Sequence, residues 1–369
     1  MTKIEETEEA YIRLTRQQAM LLDFLEEQKT AVIHGLAGTG KTVLAVEKAK
    51  RLAAQGEQVL FLCFNSFLRD ALRKNNVIPN VTFHNAHSLA YEIMGQSDLT
   101  VEEVLEEFVD FLEEVFEEES WEYSNIIVDE GQDLDDSLLN RLYELVKQKN
   151  GCFYVFYDRN QYIMKNPLSK WIDNAECRLV LHKNCRNTAE VFKTSCSIMG
   201  LENVTYNDVH GEIPGVRFYN RKDEEEKIVS DFIKCVLDEG LQPSDIVILT
   251  AKTVESSWID PEKKYAGQKL SCKGEAEKIL FTSIRKFKGL EAEAILIVDM
   301  QMSALTNPED RRLLYTGASR AKNLLNIAML EDVELSDYGD YLRNIAPGRN
   351  LPKNKKGFKR LLHVTVDMK

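Results

Sequence analysis

GLAGTGKT, residues 35–42, follows the apolar run AVIH (31–34) and opens the helix-like stretch TVLAVEKAKRLAAQG (42–56). Glycines at 35, 38 and 40 let the backbone on either side of Thr39 turn its N–H groups inward around phosphate oxygens. Lys41 then reaches the outer phosphates, and Thr42 offers a hydroxyl to Mg²⁺. A strand, a phosphate-cradling loop and a helix in that order define an α/β chain built on a parallel sheet, so Gly35, Gly38, Thr39, Gly40, Lys41 and Thr42 form the first candidate site.

Working outward, short β-branched or aromatic runs recur between helix-length stretches. VLFLCF (59–64), VTF (81–83), NIIVD (125–129) and FYVFYD (153–158) follow AVIH, and RLVLH (178–182), VRFYN (216–220), DIVILT (245–250), KILFTS (278–283), AILIVDM (294–300) and LLNIAML (324–330) make a second series. Runs this apolar predict strands covered on both faces. Two successive α/β units are expected: an ATP-binding domain over 1–176, a second domain over 177–346 and a basic tail over 347–369, PGRNLPKNKKGFKRLLHVTVDMK. The stretch 101–120 predicts a helix with Val101, Val104, Leu105, Phe108, Val109, Leu112, Val115 and Phe116 on its inner face and acids on the other. Such a face repels phosphates.

The 369 residues, 44% of them apolar, suffice for two cores. Seven cysteines without a CxxC pair and six histidines without metal spacing exclude a thiolate zinc site and predict reduced thiols in a cytoplasmic protein. No apolar run reaches the roughly 20 residues of a membrane span, and the start MTKIEETEEA is acidic where a secretory signal is basic and apolar. A net charge of −13 excludes a broad basic face for duplex DNA but leaves room for a local groove.

NIIVDE supplies a strand ending in carboxylates, where Asp129 is placed to hold Mg²⁺ and Glu130 to polarise an attacking water. An ATPase site also needs positive charge on the transferring phosphoryl group, and Arg186 and Arg320 are candidates in the second unit.

The order of motifs resembles that of superfamily 1 helicases of the UvrD/Rep/PcrA type. LTRQQ (14–18), GLAGTGKT, DEGQD (129–133), YDRNQ (157–161), NCRN (184–187), KFKGLE (286–291) and LLYTGASRAK (313–322) resemble the Q motif and motifs I to VI. The compact form resembles the helicase part of NERD-associated UvrD-like proteins. The resemblance implies two tandem RecA-like parallel-sheet P-loop domains with little or no accessory-subdomain insertion, the segment 251–277 being read as a loop. It further implies Gln18 on adenine, Gln161 sensing the γ-phosphate, Arg186 and Arg320 as arginine fingers, and Gly289 and Glu291 touching nucleotide. Cys185 stands where the family carries Tyr, and Arg285 where it carries His. The implied activity is a Mg-ATP-dependent single-stranded nucleic-acid translocase or DNA helicase, 3′ to 5′ on ssDNA, with RNA the lesser candidate. The alternative is an ATP-gated regulatory subunit of a partner, such as a nuclease, triggered by nucleic acid.

Single-strand binding needs aromatic platforms and a polar backbone track. Phe64 after a predicted strand, Tyr162 and Trp171 near motif III are the aromatic candidates, with Asn65 and His87 for the strand's backbone.

Overall fold

The computed structural model describes residues 19–95, 100–118, 120–161, 169–201, 204–275, 277–334 and 336–365. Two compact units divide between His182 and Lys183.

The first unit is built on β1 (Thr30–Gly35), β2 (Val59–Cys63), β3 (Val81–Asn85), β4 (Asn125–Val128), β5 (Phe153–Tyr157) and β6 (Arg178–Leu181), with helices α1 (Lys41–Ala54), α2 (Ser66–Asn75), α3 (Ala86–Met94), α4 (Val101–Glu118), α5 (Asp136–Gln148) and α6 (Lys170–Asn174). The strands run parallel in the order β3-β2-β4-β5-β1-β6. Every side chain of β2, β4 and β5 is buried, which is why these runs are continuously apolar rather than alternating. RLVLH, grouped by sequence with the second series, pairs as β6 with β1 and closes the edge of the first sheet.

Helix α4 buries Val104, Phe108, Leu112 and Val115 against the core of this unit. Burial of each contributes about 1.5–3 kcal/mol, against a few tenths of a kcal/mol for each like-charged i,i+4 pair on its acidic face. The apolar stripe therefore decides that the helix forms. Phe116, read as part of that stripe, is 38% exposed. One residue beyond Val115 is about 100° further round the helix, which takes Phe116 off the inner face.

The second unit carries β7 (Gly215–Tyr219), β8 (Ile246–Thr250), β9 (Lys264–Tyr265), β10 (Gln268–Ser271), β11 (Ile279–Ser283), β12 (Ala292–Gln301) and β13 (Ala321–Leu330), covered by α7 (Ala189–Met199), α8 (Lys222–Asp238), α9 (Ile284–Phe287), α10 (Pro308–Ala318), α11 (Tyr338–Ile345) and α12 (Lys355–Leu362). Its strand order is β7-β13-β12-β8-β11-β10-β9, parallel except for the β9–β10 hairpin. That hairpin lies inside 251–277, the segment read as a loop. Ala266 and Gly267 turn it with φ of 48° and 80°, two successive left-handed residues as a tight hairpin requires.

The segment read as a basic tail folds onto this unit. Phe358, Leu361 and Leu362 of α12 are buried, and Thr365 exchanges backbone hydrogen bonds with Pro214 and Val216 at 2.8 and 2.7 Å. Two tandem parallel-sheet α/β units fit the RecA-like arrangement that the motif order implies. No helix among the described residues is long and apolar enough to cross a membrane.

Candidate functional site

In an open parallel sheet, ligands gather at the carboxyl ends of the strands. The loop after β1 is the most constrained stretch there. Gly38 and Gly40 take φ of 76° and 81°, and a Cβ on Gly35 would meet Thr39 Oγ1 at 2.3 Å. Lys41 is buried, and its ammonium donates to the carbonyls of Gly35 and Leu36 at 2.8 and 3.1 Å, with the Asp158 carboxylate at 4.0 Å. Thr42 Oγ1 donates to Asp129 Oδ2 at 2.7 Å. The loop thus joins the carboxylate end of β4 without any other segment between them.

Burial, and after it the charge of Glu130, pushes the Asp129 carboxyl up to about 6; the Thr42 hydrogen bond and the Lys41 charge oppose that rise. A buried hydroxyl and carboxylate in contact, next to a buried ammonium, are a hard-oxygen donor set suited to Mg²⁺ and phosphate. The residues therefore fit a magnesium-nucleotide.

Glu130 adopts the left-handed region, φ 58° and ψ 40°. A non-glycine residue held there carries roughly 1–2 kcal/mol of strain, and surrounding contacts hold it. Gln132 Nε2 donates to Glu130 Oε2 at 2.6 Å, while Gln132 Oε1 accepts from the backbone N–H of Asp158 at 3.1 Å. One amide therefore ties the carboxylate after β4 to the segment after β5. Gly131 is required by packing, since a Cβ there would stand 2.3 Å from Val155 Cγ1 on β5. Gln161 closes the following 3-10 turn and is fully buried.

At the same end of the sheet, Phe64 follows β2 half-buried, and Asn65 caps α2 by accepting from Leu68 N at 2.8 Å. Asn65 thus holds the helix start, a local role beside the strand contact expected of it. His87 sits half-buried in the first turn of α3. Trp171, a candidate base platform, instead packs on Phe153 and Tyr143 with ring centroids 4.8 and 5.4 Å away. Gln18 and Tyr162 lie outside the described residues.

In the second unit, Arg186, Glu291 and Arg320 gather at the amino ends of β12 and β13. Arg186 and Glu291 form an ion pair. Gly289, two residues before Glu291, takes φ 88°. Arg320 is buried, with Nε donating to the Thr316 carbonyl at 3.1 Å, and its own carbonyl accepts from Ala292 N. Asn187, next to Arg186, donates from Nδ2 to the carbonyls of Ser319 and Ala321 at 2.9 and 2.6 Å, on either side of Arg320. Asn184 and Asn207 complete this buried amide network. Sequence reasoning gave the three asparagines no role; their signal was the paired amides of NCRN around its arginine. Cys185, where the family carries Tyr, is fully buried, and burial pushes its thiol up to about 11.

A second buried cluster occupies the opposite, carboxyl end of that sheet. Asp299, at φ 59°, accepts from Thr250 Oγ1, Ser257 Oγ and Trp258 N and faces Lys252 at 3.3 Å. Its backbone N–H donates to Glu225 Oε1 at 2.7 Å. Burial, partly offset by that bond, pushes the Glu225 carboxyl up to about 7, with Asp299 adding to the rise and Tyr219 and Lys252 opposing it. A carboxyl raised on folding favours the native state below its unfolded value of about 4.3, and that stability is lost as pH climbs through about 7. Glu225→Gln, a neutral isostere, is expected to melt several degrees above the parent near pH 8.5 and level with it near pH 3.5. Calorimetric melting temperatures of both proteins across that range check it.

Fold and loop together define a P-loop nucleotide-binding protein. Two family models match the chain: the AAA domain over residues 17–167 and the UvrD-like helicase C-terminal domain over residues 278–328. In that order along one chain, the matched domains support a UvrD/Rep-like superfamily 1 helicase. Among solved structures, the chain is similar to the PRRSV helicase at 9% identity and TM-score 0.40, spanning 85% of this chain and about half (54%) of that one. It is also similar to the C-terminal domain of a possible DNA helicase from Lactobacillus plantarum WCFS1, at 19% identity and TM-score 0.31, over 39% of this chain and 86% of that one. Likenesses this loose carry no functional argument.

Proposed function

We propose that the chain is an ATP-driven helicase-type motor that moves on single-stranded DNA, in the 3′ to 5′ direction, in the cytoplasm. The observation that carries this reading is the amide bridge Glu130–Gln132–Asp158. It couples the carboxylate beside the phosphate loop to the turn containing Gln161, so a change at the nucleotide is felt where β5 ends. An ATPase with no other task needs the carboxylate and not the bridge. The two family matches favour a helicase over other P-loop enzymes.

In this reading Thr42 and Asp129 hold Mg²⁺, which neutralises phosphate charge. Lys41 leaves its two loop carbonyls for the outer phosphates, and the loop backbone cradles them. Glu130, oriented by Gln132, accepts the proton of the attacking water. Gln161 senses the terminal phosphate, Arg186 and Arg320 supply positive charge to it, Gly289 and Glu291 contact the nucleotide, and Gln18 reads adenine. Phe64 and Tyr162 stack on bases, while Asn65 and His87 contact the strand's backbone.

Phe64→Ala is expected to weaken oligo(dT) binding about 5- to 100-fold, the range of one lost base stack. Fluorescence anisotropy measures it, with circular dichroism confirming the fold, and unchanged affinity would return Phe64 to a packing role.

The experiment that tests the whole reading is the steady-state ATPase rate alone and with single-stranded DNA, duplex DNA or RNA. Strong stimulation by single-stranded DNA supports the motor. Hydrolysis indifferent to every polymer sinks it and favours an ATP-gated subunit of a protein partner such as a nuclease.

A further inference from the structure

The second unit contains a cavity of about 180 Å³ where the end of α7, the start of α10, α11 and α12 meet. Its apolar wall is formed by Ile198, Leu305, Ile345, Leu361 and Leu362, and Arg311 and Arg349 also line it. A cavity on the order of 150 Å³ accepts a benzene ring, so the volume suits one bulky apolar side chain.

Arg311 makes its charge unusual. Nε and Nη2 both donate to the Ile198 carbonyl at 3.0 and 2.8 Å, in the last turn of α7. A neutral carbonyl satisfies the hydrogen bonds and leaves the charge, and among the described residues no carboxylate pairs with this half-buried guanidinium. Burial accordingly holds Arg311 below the usual arginine value. Burial, and then the charges of Lys193 and Arg349, hold His363 below the ordinary imidazole value. On a chain of net charge −13, a guanidinium that lines an apolar cavity and faces no carboxylate among the described residues is a local anion-seeking point. It is separate from the arginines of the nucleotide reading, since eight residues, the rest of α10 and the turn after it, divide Arg311 from Arg320, roughly 14 Å at helical rise.

We propose that this cavity captures the C-terminal residue of a partner peptide, with a bulky apolar side chain filling the cavity and its terminal carboxylate on Arg311. Both halves of the cavity are needed for this occupant. Inorganic phosphate leaves the apolar wall unused, and an uncharged apolar peptide leaves Arg311 without its counter-ion. Planar, forked guanidinium geometry suits a carboxylate, which it binds through two parallel hydrogen bonds.

The test uses the full chain and a fluorescein-labelled peptide, Asp-Glu-Asp-Asp-Leu-Phe, with a free C-terminus, followed by anisotropy at low salt. Saturable binding is expected, weakened about 10- to 100-fold when the terminal carboxylate is converted to an amide, as for loss of a charged hydrogen-bonded pair. Arg311→Ala should match the loss on amidation, and Arg349→Ala, at an exposed position, should weaken binding less. Absence of binding, or equal affinity for free acid and amide, overturns the proposal. Because the amide comparison uses the unmutated protein, it decides even where Arg311→Ala does not fold. Displacement of the peptide by inorganic phosphate at equal concentration, or by oligo(dT) in an Arg311-dependent manner, would assign the surface to phosphate and overturn it as well.

Discussion

Arg320→Ala is expected to lower ATP turnover about 10³-fold or more while leaving ATP affinity within a few-fold of the parent, the signature of a charge that acts on the transition state. Its surroundings hold the side chain in place. It is buried, one guanidinium nitrogen is spent on the Thr316 carbonyl, and Asn187 grips the backbone on both sides of it. Removing the side chain also empties a buried site, so a thermal melt is needed beside the kinetics. A protein that melts near the parent, binds nucleotide and does not turn over assigns Arg320 to the reaction. One that turns over within a few-fold of the parent shows that the second unit does not complete the site. Arg320→Lys keeps the charge and loses the fork, and is expected to recover only a small part of the rate.

Glu130→Gln is expected to cost at least about 100-fold in turnover, because the amide cannot accept the water's proton. Nucleotide binding should persist, since Lys41, Thr42 and Asp129 are untouched. The substitution keeps the side chain's shape, and a Gln at 130 can still present an oxygen to Gln132 Nε2. The left-handed backbone at 130 should therefore survive. Equilibrium binding of a fluorescent ATP analogue together with single-turnover hydrolysis separates the two steps. Near-normal hydrolysis would move the proton acceptor to another carboxylate, and Asp158, 4.0 Å from the Lys41 ammonium, would be the next to test.

What was legible in the sequence was what neighbouring residues decide among themselves. Glycine spacing around Thr39 fixes the phosphate loop locally, and the apolar runs of β2, β4 and β5 announce strands with no exposed face. Partner choice over distance was not legible. RLVLH reads as a strand, but nothing in its five letters says that it pairs with β1. The hairpin of β9 and β10 turns on Ala266 and Gly267, without the Asn-Gly or Asp-Gly that marks such a turn, and KKYAGQKLS around it is too polar to look like a strand. Gln132 was visible as part of DEGQD, yet its bond to Asp158 spans 26 positions and needs β4 and β5 side by side. Trp171 shows the converse: an aromatic near a motif is as readily a core residue, and α6 turns this one inward on Phe153.

The β9–β10 hairpin has one more consequence. Parallel sheets have no natural way to finish, because their last strand leaves a full row of amide and carbonyl groups for another chain to read. Here the last strand is two residues long, folded back antiparallel and set on a turn whose Gly267 would meet nothing within 4 Å if it carried a side chain. Growth of the sheet ends at this two-residue strand. The same open turn is a splice point: a fluorescent reporter or a foreign domain joined between Ala266 and Gly267 would hang from the margin of the second unit, leaving its parallel strands in register.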